Sequence, residues 1–142
     1  MALPEPVLNA EELSAILVSA FGEGVPQVDR VTDDGVIIRL PTSARNIRPG
    51  GTLSGPTMMM LADTAAWVAL MSRAGAELLA VTTSLQIDFL RKPQPTDLVA
   101  TARIVKFGRA LVVSTVDLRS ADRDELVASA SVTYSRPRPR HT

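Results

Sequence analysis

Asp63 is the residue whose surroundings in the sequence most strongly suggest a chemical role. It is the only charged residue between Arg48 and Arg73, and the segment around it is apolar almost throughout. Taking a carboxylate out of water is costly unless partners compensate, so a carboxylate in such a setting is a candidate functional group. The pattern also fits an aspartate on a thin solvent-facing stripe with Thr57 and Thr64, or one bonded to nearby backbone. Both interpretations stay open from the residues alone.

A second candidate group lies at the start of the same segment, where residues 50–56 read Gly-Gly-Thr-Leu-Ser-Gly-Pro. If a helix begins here, its free backbone N–H groups and its dipole can polarise a carbonyl group or hold an oxyanion. The plainer interpretation is a loop followed by a helix cap. Gly55 and Asp63 are separated by about 12 Å along one helix, too far to act on one small group. If they cooperate, the site must be built across a dimer interface.

Basic residues in the C-terminal half form a third candidate group. Arginine and lysine near strand ends suit phosphate groups, through paired hydrogen bonds or as point charges. Such a cluster is also common where a protein presents a charged face to solvent. The cluster consists of Arg91, Lys92, Arg103, Lys106 and Arg109, opposed only by Asp97 in that window.

The composition excludes several classes of site. The chain has no cysteine and a single histidine among its 142 residues, which rules out thiolate nucleophiles, disulfides and cysteine-ligated metals. His141 follows the proline-rich segment 136–140, where neither a helix nor a central strand is favoured. A Ser-His-Asp triad or a two-histidine metal site therefore has almost no material. We expect no metal and no separate cofactor.

Charge and hydropathy exclude two kinds of partner. Fifteen basic residues balance fifteen acidic residues, and aromatic residues are few, so general nucleic-acid binding is not expected. The longest apolar stretch, from Pro56 to Met71, contains Asp63 and is too short to span a membrane. No positive charge precedes an apolar run near Met1, unlike a secretory signal. We expect a cytoplasmic protein without nucleic-acid or membrane partners.

The periodicity of the apolar residues predicts the elements that position these groups. Asn9 and Glu12 fit a capping box before an amphipathic helix that Gly22 ends. Asp33, Asp34 and Gly35 suit a hairpin turn that needs positive φ. The predicted elements, in chain order, are a helix over 10–21, hairpin strands over 25–32 and 36–40, a loop over 41–54, a helix over 55–73, and strands over 79–91, 97–107, 110–118 and 125–135.

Alternation along strand 79–91 predicts which side chains share a face. Thr83 falls on one face and Thr82 on the other. The face of Thr83 also carries Val81, Leu85, Ile87 and Phe89, and the face of Thr82 carries Ser84, Gln86, Asp88 and Leu90.

The predicted helix over 55–73 is apolar on almost every side, so other structure must wrap around it. Antiparallel strands before and after it indicate an α+β domain, in which one sheet wraps around one long central helix beside an extra N-terminal helix. The length predicts a single domain over 1–142, with 136–142 as a flexible tail. One sheet leaves its edges and its other face open, so dimerisation is expected.

These features together resemble the hotdog-fold acyl-CoA thioesterases, in particular the branch similar to phenylacetyl-CoA thioesterases. The resemblance runs from about Asn46 to Tyr134, and the order and spacing of its pieces are more specific than any one piece. The pieces are Asn46, Ser54-Gly55-Pro56 with Asp63 beyond it, Phe89-Leu90-Arg91-Lys92-Pro93, Gly108-Arg109, and Val132-Thr133-Tyr134.

The resemblance implies hydrolysis of acyl-CoA thioesters with short- to medium-chain or aromatic acyl groups. In this family a helix aspartate acts as nucleophile or general base, and a backbone N–H from another subunit polarises the thioester carbonyl. By this resemblance Asp63 is the catalytic aspartate and Gly55 supplies the N–H. Asn46 matches a loop asparagine of the site, and Thr83 matches a residue that holds the attacking water.

Two positions differ from the family pattern at the start of the helix. The motif histidine corresponds to Ser54, and the second motif glycine corresponds to Pro56, which has no N–H. The donor assigned to Gly55 survives both differences, whereas a hydrogen bond from the histidine side chain does not.

The same resemblance implies how the substrate is held. Arg91, Lys92 and the turn Gly108-Arg109 would meet the nucleotide end of coenzyme A, and Met59 would line the acyl tunnel. Coenzyme A is then part of the substrate, and the subunits form a homodimer that pairs into a homotetramer. Two other functions remain open: a non-catalytic hotdog module that binds acyl-CoA or a similar apolar ligand, and a structural dimer without a ligand.

Overall fold

Two helices and eight strands form the described part of the chain, which in this computed structural model covers residues 2–42, 47–48 and 52–138. The helices are α1 (Ala10–Phe21) and α2 (Gly55–Ala74). The strands are β1 (Gln27–Val31), β2 (Gly35–Leu40), β3 (Ile47–Arg48), β4 (Thr52–Leu53), β5 (Val81–Phe89), β6 (Leu98–Phe107), β7 (Leu111–Ser120) and β8 (Leu126–Ser135).

Six of these strands form one antiparallel sheet in the order β1-β2-β6-β7-β8-β5. Helix α2 lies against β2, β6, β7 and β8, while α1 packs beside β1. The predicted α+β architecture of one sheet around one long helix, with an extra N-terminal helix, is confirmed. No helix in the described ranges is long and apolar enough to cross a membrane.

The burial of α2 changes along its length. From Leu61 to Arg73 almost every side chain is buried, and alanines at four of these positions let the helix and the sheet approach closely. In the first turns, however, Met59 and Met60 remain 41% and 40% exposed. Asp63 lies where the covered part of the helix begins, and it is only half-buried. The open apolar side of α2 is therefore next to its one carboxylate.

The capping box and the terminal glycine predicted for α1 are confirmed, and a glycine also ends α2. The backbone N–H of Glu12 donates to the Asn9 side chain, the Asn9 N–H donates back to Glu12, and Gly22 ends α1 with a φ of 86°. Gly75 ends α2 with a φ of 93°. Just before it, the buried Arg73 donates to the carbonyls of Thr32 (2.8 Å) and Asp33 (2.7 Å), which ties α2 to the first hairpin.

The two edges of the sheet differ in character. Edge strand β1 presents polar side chains such as Gln27 and Arg30. Edge strand β5 begins and ends with exposed apolar residues, since Val81 is 58% and Phe89 is 49% exposed. The unpaired backbone groups of such an edge strand are a template for pairing with another strand.

The structure corrects two local predictions. The segment over 41–54 is not a loop throughout, because β3 and β4 pair within it as a short antiparallel ladder. The turn before Gly35 does not use positive φ, which among the described residues occurs only at Gly22, Gly24 and Gly75. Gly35 is required for space instead: a Cβ there would lie 1.8 Å from the Ala102 carbonyl oxygen of the paired strand.

We therefore predict that Gly35→Ala destabilises the protein by at least about 2 kcal/mol, because β2 and β6 must separate to admit the methyl group. Urea denaturation followed by circular dichroism measures this difference. Gly55→Ala is the matched control, since a Cβ at Gly55 would meet only the Phe89 ring at an ordinary 3.6 Å. Equal stability of the two variants would contradict the close approach at Gly35.

Candidate active site

The first turn of α2 has one backbone donor that no described residue accepts from. Ser54 is the N-cap, and its Oγ accepts a hydrogen bond from the Thr57 N–H at 3.2 Å. The Met58 N–H donates to the Ser54 carbonyl, and Pro56 has no N–H. Only the Gly55 N–H of this turn then lacks an acceptor in the described part of the chain. The helix start can thus offer one N–H, reinforced by the helix dipole, to an electronegative atom.

An aromatic ring lies beside this donor. The Cζ atom of Phe89, at the end of β5, would be 3.6 Å from a Cβ placed on Gly55. Phe89 is half exposed, so the ring borders the surface on which the Gly55 N–H opens. The far end of β5 and the start of α2 therefore form one side of the candidate site.

Two hydroxyl groups hold the Asp63 carboxylate. Thr82 Oγ1 donates to Asp63 Oδ1 at 2.6 Å, and the Tyr134 hydroxyl donates to the same oxygen at 3.0 Å. The Tyr134 hydroxyl also lies 3.2 Å from the main-chain carbonyl oxygen of Asp63. Asp63 is thus neither a free surface residue nor bonded only to backbone: it connects α2 to strands β5 and β8.

A β-bulge decides which threonine reaches Asp63. Thr82 pairs with Tyr134 and Ser84 pairs with Thr133, so Thr83 is an extra residue between them. This shifts the alternation by one position, so the predicted grouping is wrong here: Thr82, and not Thr83, shares a face with Leu85, Ile87 and Phe89. That face is the one towards α2, where Thr82 reaches Asp63. Thr83 Oγ1 donates to the Thr133 carbonyl at 3.3 Å and makes no hydrogen bond to Asp63. Period-two alternation carries no signal for such a bulge.

Tyr134 remains a neutral donor over the ordinary pH range. Its side chain is 6% exposed. Burial raises the pKa of the Tyr134 hydroxyl well above its usual value, and the negative charge of Asp63 raises that pKa further. A phenol that keeps its proton can donate to the carboxylate at any pH at which Asp63 is ionised.

An apolar cleft of about 440 Å³ leads to these hydroxyl groups. Phe21 from the end of α1 and Trp67 from α2 line it, with their ring centroids 5.9 Å apart in an edge-to-face arrangement. Thr82 and Tyr134 lie at its border, so the cleft is continuous with the surroundings of Asp63. The remaining lining residues are Leu78, Ala80 and Val81.

The sequence of this region matches a known family. The family model described as thioesterase superfamily covers residues 50–127, which include Gly55, Asp63 and Thr82. The chain belongs to the thioesterase superfamily.

One solved structure agrees with this membership, and two more distant ones share the fold. A proposed thioesterase from Silicibacter sp. TM1040 is 39% identical to this thioesterase, with a TM-score of 0.87 over 94% of this chain and 95% of that one. Zebrafish thioesterase superfamily member 2 is 22% identical, with a TM-score of 0.79 over 92% and 99% of the two chains. A Haemophilus influenzae thioesterase is 22% identical, with a TM-score of 0.78 over 94% and 93%. The protein is a hotdog-fold thioesterase, a hydrolase of thioesters.

Curated protein sequences give no significant match to this thioesterase. In the ranges 2–42, 47–48 and 52–138, no three histidine, aspartate or glutamate side chains are grouped so that they could hold a metal ion.

The basic residues of the thioesterase are divided between the two ends of the sheet. Arg91 and Lys92 follow the end of β5, which pairs with the start of β8. Gly108 and Arg109 form the turn between β6 and β7, beside the opposite end of β8. A strand as long as β5 spans about 27 Å. One subunit therefore does not bring Arg91 and Lys92 to the same nucleotide as Arg109.

The turn at Gly108 requires a glycine, because it leaves no room for a Cβ atom. The Gly108 N–H donates to the Leu111 carbonyl oxygen at 2.8 Å, and a Cβ at Gly108 would lie 2.6 Å from that oxygen.

The other predicted site residues lie elsewhere. Arg91 lies 3.5 Å from Glu125 in an exposed ion pair, and Lys92 is exposed. Met59 lies one turn before Asp63 on the open side of α2. Asn46 lies outside the described residues.

Arg136 fixes the part of the thioesterase next to the cleft. Its guanidinium donates to the Glu77 carboxylate (3.0 Å from Nε to Oε2) and to the Gly108 carbonyl (3.2 Å), and it lies 4.9 Å from the centroid of Phe107. The hydrogen bonds to Glu77 raise the pKa of Arg136 above its usual value. Arg136, at the start of the predicted tail, is thus bound to the domain.

The hydroxyl of Ser54 is engaged as a cap, so we predict that Ser54→Ala lowers the free energy of unfolding by about 1 kcal/mol. Ser54→Asp keeps an N-cap acceptor and is expected to retain the stability of the parent protein. Denaturant titrations of the three proteins measure the effect. The cap assignment is contradicted if Ser54→Ala is as stable as the parent.

Proposed function

We propose that this thioesterase hydrolyses acyl-CoA thioesters with Asp63 of one subunit and the Gly55 N–H of another. The observation that carries the proposal is the Asp63 carboxylate, which accepts hydrogen bonds from two residues, Thr82 and Tyr134, that line an apolar cleft. The coenzyme A substrate, the catalytic roles and the homodimer that pairs into a homotetramer all belong to this proposal. The cytoplasmic location predicted from the sequence belongs to it as well.

The edge strand β5 supports a site shared by two subunits. Thr82, near the start of β5, binds Asp63, and Phe89, at its end, lies beside Gly55. If two β5 strands pair antiparallel about a two-fold axis, the start of one strand meets the end of the other. Gly55 then comes next to Asp63 of the partner subunit. This overcomes the separation of about 12 Å within one helix.

The chemistry proceeds by one of two routes. Asp63 attacks the thioester carbonyl carbon, giving an anhydride that water then hydrolyses, or it removes a proton from a water molecule that attacks the same carbon. In both routes negative charge develops on the carbonyl oxygen, where the Gly55 N–H stabilises it. The C–S bond breaks when this tetrahedral adduct collapses, which gives the anhydride in the first route and the carboxylic acid directly in the second. Coenzyme A leaves as the thiol with a proton that comes from the water, and hydrolysis of the anhydride releases the acid in the first route.

Apolar and basic surfaces support the assignment of the substrate. The cleft lined by Phe21 and Trp67 is suited to a short- or medium-chain acyl group or to an aromatic one. Arg91 and Lys92 at one end of the sheet, and Arg109 at the other, are candidates for the phosphates of coenzyme A. Because the two groups are far apart in one subunit, only one of them can serve a given nucleotide unless a second subunit brings the other.

We predict that Asp63→Asn lowers kcat/KM for acyl-CoA thioesters at least about 100-fold, because the amide can neither attack nor accept a proton. Thr82 and Tyr134 can still donate to the amide oxygen, so the melting temperature should change little. Thiol release with a chromogenic disulfide measures turnover without background, since the protein has no cysteine.

Asp88→Asn is the control for this substitution. Asp88 is an exposed residue on the outward side of β5, and its substitution should leave turnover unchanged. The panel should contain acetyl, hexanoyl, decanoyl and phenylacetyl thioesters. Turnover at the parent rate in Asp63→Asn would eliminate the proposed role of the carboxylate.

A second prediction concerns the backbone donor. Gly55→Pro removes the N–H at the first helical position, where proline fits the helix, and should lower kcat about 100- to 1,000-fold. Gly55→Ala keeps the N–H and is expected to stay active. If the site is shared, mixing Asp63→Asn with Gly55→Pro subunits restores about a quarter of the parent activity, because half of the dimers then contain one intact site.

No recovery on mixing, after subunit exchange has been verified, contradicts a shared site.

One observation favours the non-catalytic alternative: Ser54 and Pro56 leave a single N–H where the family motif has further donors. In that case coenzyme A esters raise the melting temperature of the protein, and no thioester of the panel is hydrolysed.

A further inference from the structure

Tyr134 and Thr82 bind the same oxygen of Asp63 from neighbouring strands. Their hydroxyl groups lie 3.0 Å and 2.6 Å from Oδ1, and the two residues are direct cross-strand partners in the pairing of β5 with β8. No hydrogen bond from the residues that the structure describes reaches Oδ2. The two oxygens of the carboxylate therefore have different surroundings.

We propose that Tyr134 and Thr82 are positioning residues that hold Oδ1 of Asp63, so that Oδ2 is the oxygen that attacks the thioester or takes the proton from water. This rests on the proposed function of Asp63 and assigns a role to two residues beyond it. A terminal carboxylate turns easily about its last side-chain bond. Two charge-assisted hydrogen bonds to one oxygen fix that rotation and leave the second oxygen in a defined direction.

The supports of the two hydroxyl groups suit this role. Tyr134 is almost fully buried on the inner side of β8, and the adjacent Trp67 and Ala80 are buried as well. Thr82 is turned inward by the bulge at Thr83. Both donors thus project from hydrogen-bonded strands and not from loops, which limits their movement when substrate binds.

The test compares variants that lose a hydroxyl group and keep the shape of the side chain. Tyr134→Phe and Thr82→Val should each lower kcat about 10-fold or more, because each loses a hydrogen bond to a charged group. KM should remain near that of the parent protein, since neither hydroxyl group is assigned to substrate binding. Thr82→Ser keeps the hydroxyl group and should recover most of the rate, which a purely structural role of Thr82 does not predict.

Thr115→Val is the matched control for the threonine substitution. Thr115 is an exposed residue on the outward side of β7, and its substitution should leave kcat and KM unchanged. Thr83→Val tests which threonine matters. The family pattern assigns the functional hydroxyl group to Thr83, whereas in the structure Thr82 binds Asp63. A larger loss of kcat in Thr83→Val than in Thr82→Val would overturn the assignment.

The contact itself can be observed without turnover. Tyr134 is the only tyrosine of the chain, so protein labelled with fluorotyrosine gives one tyrosine signal in fluorine NMR. That signal should move in Asp63→Asn and in Thr82→Val, and it should stay in place in Asp88→Asn. An unchanged signal in Asp63→Asn would overturn the hydrogen bond on which the proposal rests.

The outcomes distinguish this proposal from the proposed function. Loss of hydrolysis in Asp63→Asn, together with parent values of kcat in Tyr134→Phe and Thr82→Val, overturns only the role of the two hydroxyl groups. Full activity of Asp63→Asn, or no hydrolysis by the parent protein, contradicts the proposed function and the present proposal with it. A fall in kcat at constant KM in both hydroxyl variants, with recovery in Thr82→Ser, supports both.

Discussion

The burial of α2 is the constraint on which the rest of the structure depends. A helix that is apolar on almost every side needs cover all round, and the sheet of one chain covers it fully only from Leu61 onward. The first turns stay open: the N–H of Gly55 lies at their start, and the half-buried carboxylate of Asp63 lies just beyond their end. The incomplete cover leaves room for a ligand or a second subunit beside the two groups that could act on it.

The inner side of the sheet does more than bury the helix. At its β5 edge it supplies Thr82 and Tyr134, which bind the only carboxylate of α2. Their alignment depends on one extra residue in β5, since without the bulge at Thr83 the hydroxyl group of Thr82 would face away from the helix. The bulge in the pairing of β5 with β8 therefore determines which hydroxyl group reaches Asp63.

Much of the fold follows from local chemistry in the sequence. Asn9 and Glu12 cap α1, Ser54 and Gly75 bound α2, and alternating apolar residues give the long strands with small errors at their ends. Asp63 and Gly55 could be singled out because a charge in an apolar run and a glycine at a helix start are visible as residue types. The catalytic roles given to them came from the family resemblance, and they remain predictions.

The features that sequence reasoning missed depend on contacts between distant segments. The bulge at Thr83 is a mismatch between two strands, so periodicity within one strand could not reveal it. The conformation of Gly35 was predicted from its turn, whereas the glycine is needed because of a carbonyl on β6. The separation of Arg91 from Arg109 follows from the antiparallel pairing of β5 and β7 with opposite ends of β8. Residues that form one basic cluster in the sequence are therefore far apart in the structure. Only the pairing of the strands determines that distance.

The bonds of Arg136 reach only one side of the apolar cleft. Glu77 receives Arg136 through its carboxylate and the Trp67 indole N–H through its carbonyl at 3.1 Å, so the wall formed by α2 and the start of β5 is cross-linked to the sheet. The cleft is also lined by the last residue of α1, Phe21, which is 61% exposed and is followed by a glycine with a φ of 86°. Under the proposed function, selection of the acyl group and cleavage of the thioester would then depend on separate parts of the chain. Substitutions at the end of α1 would change which acyl groups fit without moving the Asp63 carboxylate.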